Sequence, residues 1–149
     1  VVIGGSLSAG VRDGGYFNEG MLTSYPNILA RQMKLKKFEQ PLFDAGEYNG
    51  IGRRVQTGYN PTGGPIKKFN VIQNNLAGIY LPDELYDFKK INLKEYKGDP
   101  DNMAIPFVNS RNSLIYNGQG LSFKNRILTK KNDKGENLST INNLKTKKF

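Results

Sequence analysis

The chain contains no cysteine and no histidine. The first absence excludes disulfides, zinc–thiolate sites and a cysteine nucleophile, and it leaves the redox compartment undetermined. The second removes the usual general base for a serine nucleophile. No apolar run approaches the roughly 20 residues that cross a bilayer, so no transmembrane segment is expected. The sequence opens on Val1-Val2-Ile3-Gly4-Gly5, with no signal-peptide pattern or charged lead-in within its 149 residues. An apolar run in first place reads as a strand cut at its start, with upstream sequence, and any targeting segment, expected before it.

What is present is polar and loop-forming. Hydrophobic residues make up 37%, and the mean hydropathy of −0.57 leads us to expect that part of the chain stays outside a packed core. Seventeen Gly and seven Pro point to a loop-rich α/β or irregular protein rather than a helical bundle. The length of 149 residues fits one domain with a modest core.

The net charge of +9 is unevenly placed. Residues 121–149 hold eight Lys and Arg against two acids, whereas residues 1–120 hold 14 against 11. We therefore divide the chain into a domain over 1–120 and a Lys/Asn-rich tail over 121–149, solvated or disordered. The tail has no accompanying basic and aromatic constellation, so no specific nucleic-acid partner is expected.

Val1 to Ile3 has the character of a buried parallel strand. A loop of small residues follows, Gly4-Gly5-Ser6-Leu7-Ser8-Ala9-Gly10. Next comes a helix, capped by Thr23 or Ser24 with Pro26 in its first turn. Tyr25, Ile28, Leu29 and Met33 form its apolar face, and Lys34 to Lys37 close it. Strand, small-residue loop and helix make the first half of a βαβ unit. Residues 41–65 read as loop, Phe69 to Ile72 as a second strand, Leu81 to Phe88 as a short helix and residues 97–102 as a turn. Ile105 to Val108 and Leu114 to Tyr116 are weak apolar segments, and no period is evident beyond Gly120.

A serine just after a buried strand sits where open α/β sheets bind ligands. Glycines Gly4, Gly5 and Gly10 let the backbone turn sharply around it. Backbone N–H groups in such a loop can face a developing oxyanion. The loop has neither G-x-G-x-x-G spacing nor a following Gly-Lys-Ser/Thr, so phosphate binding is disfavoured; a tight turn without chemistry is the plain alternative. Asp83, Glu84 and Asp87 read as a solvated face rather than a metal site, and the loop tyrosines 48, 59, 80, 86 and 96 read as packing residues. No metal and no cofactor are expected.

The stretch Val2-Ile3-Gly4-Gly5-Ser6-Leu7-Ser8-Ala9-Gly10 resembles the first block, Gly-Asp-Ser-Leu-Ser, of the GDSL/SGNH hydrolases. The likeness extends through Val11-Arg12-Asp13-Gly14-Gly15, Asn18-Glu19-Gly20, Thr23-Ser24-Tyr25-Pro26 and Gln40-Pro41-Leu42-Phe43, and is similar to a Bacteroidetes-type branch of secreted or lipid-anchored proteins. Asn74-Asn75-Leu76-Ala77-Gly78 resembles the second block. The resemblance covers residues 1 to about 110. It implies a three-layer, flavodoxin-like α/β fold of which this chain is the N-terminal half. It also implies an ester hydrolase acting on a small-molecule, lipid or carbohydrate ester, with Ser6 as nucleophile and the N–H groups of Ser6 and Gly78 as oxyanion donors. The family's remaining parts are a Gly-x-Asn-Asp block and an Asp-x-x-His motif. Gly135-Glu136-Asn137 is followed by Leu138 rather than Asp, and no Asp-x-x-His exists here. Position 5 is Gly where the family has Asp.

Loss of the base is a large defect: removing the catalytic His of a serine protease costs about 10⁶ in kcat. We therefore expect this chain alone to be inactive as an esterase, with the missing C-terminal half in the same or a longer chain. Two alternatives stand beside this reading: a non-catalytic ligand-binding protein on a decayed SGNH fold, and a binder of anionic surfaces driven by the basic tail. A shifted reading frame would also produce such a tail.

Overall fold

The computed structural model describes residues 1–58, 62, 69–78, 92–107, 121–135, 138 and 140–145. Three short helices come first: α1 (Ser6–Ala9), α2 (Asn18–Leu22) and α3 (Tyr25–Gln32). A 3₁₀ turn (Ala45–Glu47) precedes β1 (Arg53–Gln56) and β2 (Phe69–Ile72); α4 (Leu121–Ile127) and α5 (Thr140–Lys145) follow. Strand β1 pairs antiparallel with β2, Arg53 opposite Ile72 and Gln56 opposite Phe69. The second strand lies where its β-branched and aromatic run places it, but residues 53–56 were expected as loop. The expected helix over 81–88 and the apolar segment over 114–116 lie outside the described residues.

Val1 to Ile3 makes one parallel bridge, Val2 with Asn102, rather than a full strand. Around the bridge the hydrogen bonds alternate as in a parallel ladder. The Val2 N–H donates to the Asp101 carbonyl (2.7 Å), the Met103 N–H to the Val2 carbonyl (2.8 Å) and the Ile105 N–H to the Gly4 carbonyl (2.9 Å). Pro106 has no N–H to donate, but the donors of this ladder lie on residues 103 and 105, so the proline interrupts no rung, and its ring biases Ile105 to extended backbone.

The expected loop after this run is instead a single helical turn, α1. Its C-cap Gly10 has φ +86°, in the left-handed region, where Gly carries no Cβ penalty. A Cβ there would also collide with the Gly20 carbonyl, so the end of α1 and helix α2 touch backbone to backbone.

Helix α3 starts where expected, with Pro26 in the first turn, but it ends at Gln32, short of the Lys34 to Lys37 stretch expected to close it, and neither Thr23 nor Ser24 caps it by side chain. The Ser24 Oγ donates backwards to the Met21 carbonyl (2.7 Å) and the Thr23 Oγ1 to the Glu19 carbonyl (2.7 Å). The helix ends in a Schellman motif: Lys34 N–H to Arg31 carbonyl and Leu35 N–H to Ala30 carbonyl, both 3.0 Å, with Lys34 at φ +53°. The face toward the protein is Pro26, Asn27 and Ala30, whereas Tyr25, Ile28, Leu29 and Met33 are exposed. The apolar stripe of α3 thus points outward.

The core gathers Tyr16, Met21, Phe43 and Ile51 with Met103 to Ile105 and with Phe123, Ile127 and Leu128. Tyr16 meets Phe43 and Phe123 edge-on, with ring centroids 5.5 and 5.9 Å apart. Segment 121–149 was expected to be a solvated tail. Its first part, α4, is core: hydrophobic side chains at 123, 127 and 128 are worth about 1.5–3 kcal/mol each when fully buried, enough to hold a short helix.

Arg126 fastens α4 to the rest. Its guanidinium is buried and donates to the carbonyls of Lys94 (2.8 Å), Pro41 (3.3 Å) and Leu42 (2.7 Å), and lies 4.2 Å from the Phe43 ring centroid. Burial holds its pKa below the usual arginine range. Lys130 pairs with Asp99 (3.7 Å) and Lys131 with Glu95 (3.7 Å), so part of the basic segment is matched by acids of the domain. Among the described residues, no helix is long and apolar enough to cross a membrane.

Candidate functional site

Ser6 opens α1 at the end of the 1–4/101–105 ladder. The rungs fall on alternate residues of the second strand-like run, at 103 and 105. The next donor in that series is the Phe107 N–H. It meets Ser6, but on the side-chain Oγ rather than the backbone carbonyl, at 2.7 Å. The reason is local: the chain has already turned into α1, and the Ser6 carbonyl accepts the Val11 N–H instead (2.9 Å). Phe107 has φ +60°, a backbone conformation uncommon outside Gly, Asn and Asp. Its ring is anchored 5.4 Å from that of Phe123 in α4.

Asn102 holds the two halves of this corner together. Its buried amide donates to the Ser8 carbonyl (2.8 Å) and to Gln40 Oε1 (3.0 Å), while its Oδ1 accepts the Ala104 N–H (3.2 Å). The Ser8 hydroxyl shares a hydrogen bond with the Tyr25 hydroxyl (2.9 Å). Gly4 is demanded by Ser8, since a Cβ on Gly4 would overlap the Ser8 side chain. Gly5 occupies the N-cap of α1 in extended backbone (φ −103°). The first N–H groups of any helix have no acceptor within it, and in α1 these belong to Ser6, Leu7 and Ser8. Ser6 itself is half-buried and Leu7 is 77% exposed, so the corner opens to solvent beside the hydroxyl.

Gly78 stands elsewhere in the hydrogen-bond pattern. Its N–H points at the Gly50 carbonyl (3.4 Å), which also accepts the Ala77 N–H (2.7 Å), and Asn74 accepts from the buried Asn49 amide (2.9 Å). The 74–78 segment thus braces residues 49–50, and the donor brought to Ser6 is Phe107. The sequence signal for it was the run Asn102-Met103-Ala104-Ile105 stopped by Pro106, a second short apolar strand matching Val1 to Ile3.

Other segments behind the resemblance also meet. The Asn18 amide donates to the Phe43 carbonyl (2.9 Å) and accepts the Phe43 N–H (2.7 Å). The Tyr96 hydroxyl donates to Glu39 (3.0 Å). Gly135 has φ +77° in a turn; Glu136 and Asn137, like Asp83, Glu84, Asp87 and tyrosines 59, 80 and 86, lie outside the described residues. Among the described residues, no cluster of His, Cys, Asp and Glu could hold a metal ion.

Comparison of the chain with protein-family models, with curated proteins and with solved structures returns no match.

Proposed function

We propose that the chain is the N-terminal part of an SGNH-type ester hydrolase, a three-layer α/β protein of flavodoxin-like plan, in which Ser6 forms the acyl-enzyme. The observation that supports this most is the Phe107 N–H at 2.7 Å from Ser6 Oγ. At rest that donor is occupied by the hydroxyl. When Oγ bonds to an ester carbonyl carbon, the carbonyl oxygen becomes an alkoxide next to the same donor, and the Ser6 N–H supplies a second. Donors already fixed in place stabilise such an oxyanion strongly, since removing one from a serine protease costs about 10²–10³ in kcat.

A base must take the Ser6 proton, and no imidazole is present in these 149 residues. The base and its orienting acid belong to the missing half proposed above. A substrate with an acyl or acetyl ester, on a small molecule, lipid or carbohydrate, fits a corner that is open at Leu7.

The test is covalent capture. The chain is incubated with a small activated ester, with imidazole as an external base, and the acylated residue is located by mass spectrometry. The expected result is imidazole-dependent acylation at Ser6, absent in Ser6→Ala, with negligible turnover when imidazole is left out. Acylation spread over lysines with none on Ser6 would overturn the reading. The lack of any imidazole favours a second reading, a non-catalytic binder of the same ester class; ligand binding unchanged in Ser6→Ala, with no acylation, would select it.

A further inference from the structure

The outward-facing stripe of α3 continues toward the Ser6 corner. Tyr25, Ile28, Leu29 and Met33 are 46, 44, 49 and 69% exposed. Leu35, in the turn that ends the helix, is 49% exposed. A soluble helix normally turns such a stripe to the core, so an exposed one marks a surface that meets something apolar. Tyr25 ties the stripe to α1 through Ser8, and α1 carries Leu7, the most exposed of these apolar side chains.

The charges around the stripe choose its partner. Between Gly20 and Phe38 the chain has four basic residues, Arg31, Lys34, Lys36 and Lys37, and no acid. All four are exposed, and among the described residues Lys37 forms an ion pair with Glu39 at 2.9 Å. Apolar side chains interleaved with Lys and Arg on one short helix and its C-terminal turn are the pattern of interfacial binding: the apolar groups enter the headgroup boundary and the cations meet anionic headgroups.

We propose that α3 and its C-terminal turn dock the protein onto an anionic lipid surface. Within the basic 121–149 segment, Arg126 is buried and Lys130 and Lys131 face acids of the domain, so these three charges are engaged inside the protein rather than offered to a surface. Docking through this stripe places Leu7 and the neighbouring Ser6 at the edge of the lipid layer. The inference does not depend on the esterase reading, since it concerns binding alone.

The experiment is co-sedimentation of the full chain with phosphatidylcholine vesicles, with and without phosphatidylglycerol. Three proteins are compared: the unaltered chain, Ile28→Ser/Leu29→Ser/Met33→Ser, and Lys34→Ser/Lys36→Ser. All substituted side chains are exposed, and circular dichroism checks that the fold is kept. The expected result is binding to the phosphatidylglycerol vesicles that falls at least about tenfold in either variant, each basic residue near an anionic surface being worth about fivefold in affinity. Absence of vesicle binding by the unaltered chain overturns the proposal. So does binding that both variants keep, which would put the contact elsewhere. Self-association lost in the apolar variant, without vesicle binding, overturns it in favour of a second copy of the chain.

Discussion

The backbone N–H of Phe107 reaches the hydroxyl of Ser6 at 2.7 Å, on the third rung of a ladder whose first two rungs end on the carbonyls of Val2 and Gly4. A side-chain oxygen has taken the place of a carbonyl because α1 begins at that residue. Ser6→Ala should therefore act on stability as well as on chemistry. Deleting a hydrogen-bond acceptor from a part-buried N–H is expected to lower the unfolding free energy by about 1 kcal/mol, read as a lower urea midpoint at unchanged slope. An unchanged midpoint would mean that Phe107 does not hold the hydroxyl in solution.

Arg126 is expected to matter more. Its guanidinium serves three carbonyls and sits over Phe43. Arg126→Ala removes those bonds and leaves buried carbonyls unbonded, for a loss of about 3 kcal/mol or more in urea unfolding. Lys130→Ala, at a partly exposed ion pair, should change the midpoint by no more than a few tenths of a kcal/mol. Equal effects of the two would refute α4 as part of the core.

The Tyr96–Glu39 pair makes two pH predictions. The hydrogen bond with Lys37 comes first, helped by Tyr96 and the Asp99 N–H, in holding the Glu39 carboxyl below its ordinary value of 4.5. The unfolded chain therefore takes up the proton first. The stability due to this carboxylate is complete above 4.5 and is lost as pH falls through the lower folded value. Burial, then the bond to Glu39, pushes Tyr96 up to about 12. Its contribution is complete below the ordinary phenol value of 10 and is lost as pH rises toward about 12. Glu39→Gln should flatten the acid limb of a stability–pH curve measured by urea unfolding; an unaltered acid limb would refute the carboxylate's role.

Lys34 ends α3 in the left-handed region, where Gly is the favoured residue. Lys34→Gly is expected to raise the thermal midpoint by the equivalent of about 1 kcal/mol, and Lys34→Val to lower it. The same Gly variant should bind phosphatidylglycerol vesicles less well, so stability and lipid affinity move in opposite directions.

Part of this architecture is legible from local sequence. The start of α3 follows from Pro26 in the first turn, and β2 from the run Phe69 to Ile72, because both are set by φ restriction and side-chain shape within a few residues. The small-residue stretch around Ser6 also marks a tight corner without knowledge of its neighbours. Periodicity identifies an apolar stripe on α3 but carries no direction, and the stripe faces solvent. The resemblance implies an oxyanion donor at Gly78, whose N–H points at the Gly50 carbonyl; the N–H at the Ser6 hydroxyl is that of Phe107, a residue whose type gives no hint of a positive φ.

The chemistry available to the chain follows from its residue inventory. Without Cys or His there is no thiolate and no imidazole, whatever the fold. Long-range pairing settles which groups meet. Ser6 and Phe107 are separated by 101 positions, and Asn102 reaches Ser8 across 94. Contacts at such separations depend on the ladder of residues 1–4 with 101–105 and on the packing of α4 beneath it. Packing likewise turned Arg126, Phe123, Ile127 and Leu128 from apparent members of a basic tail into the core, since burial is a property of the assembled surfaces and not of the segment that carries them.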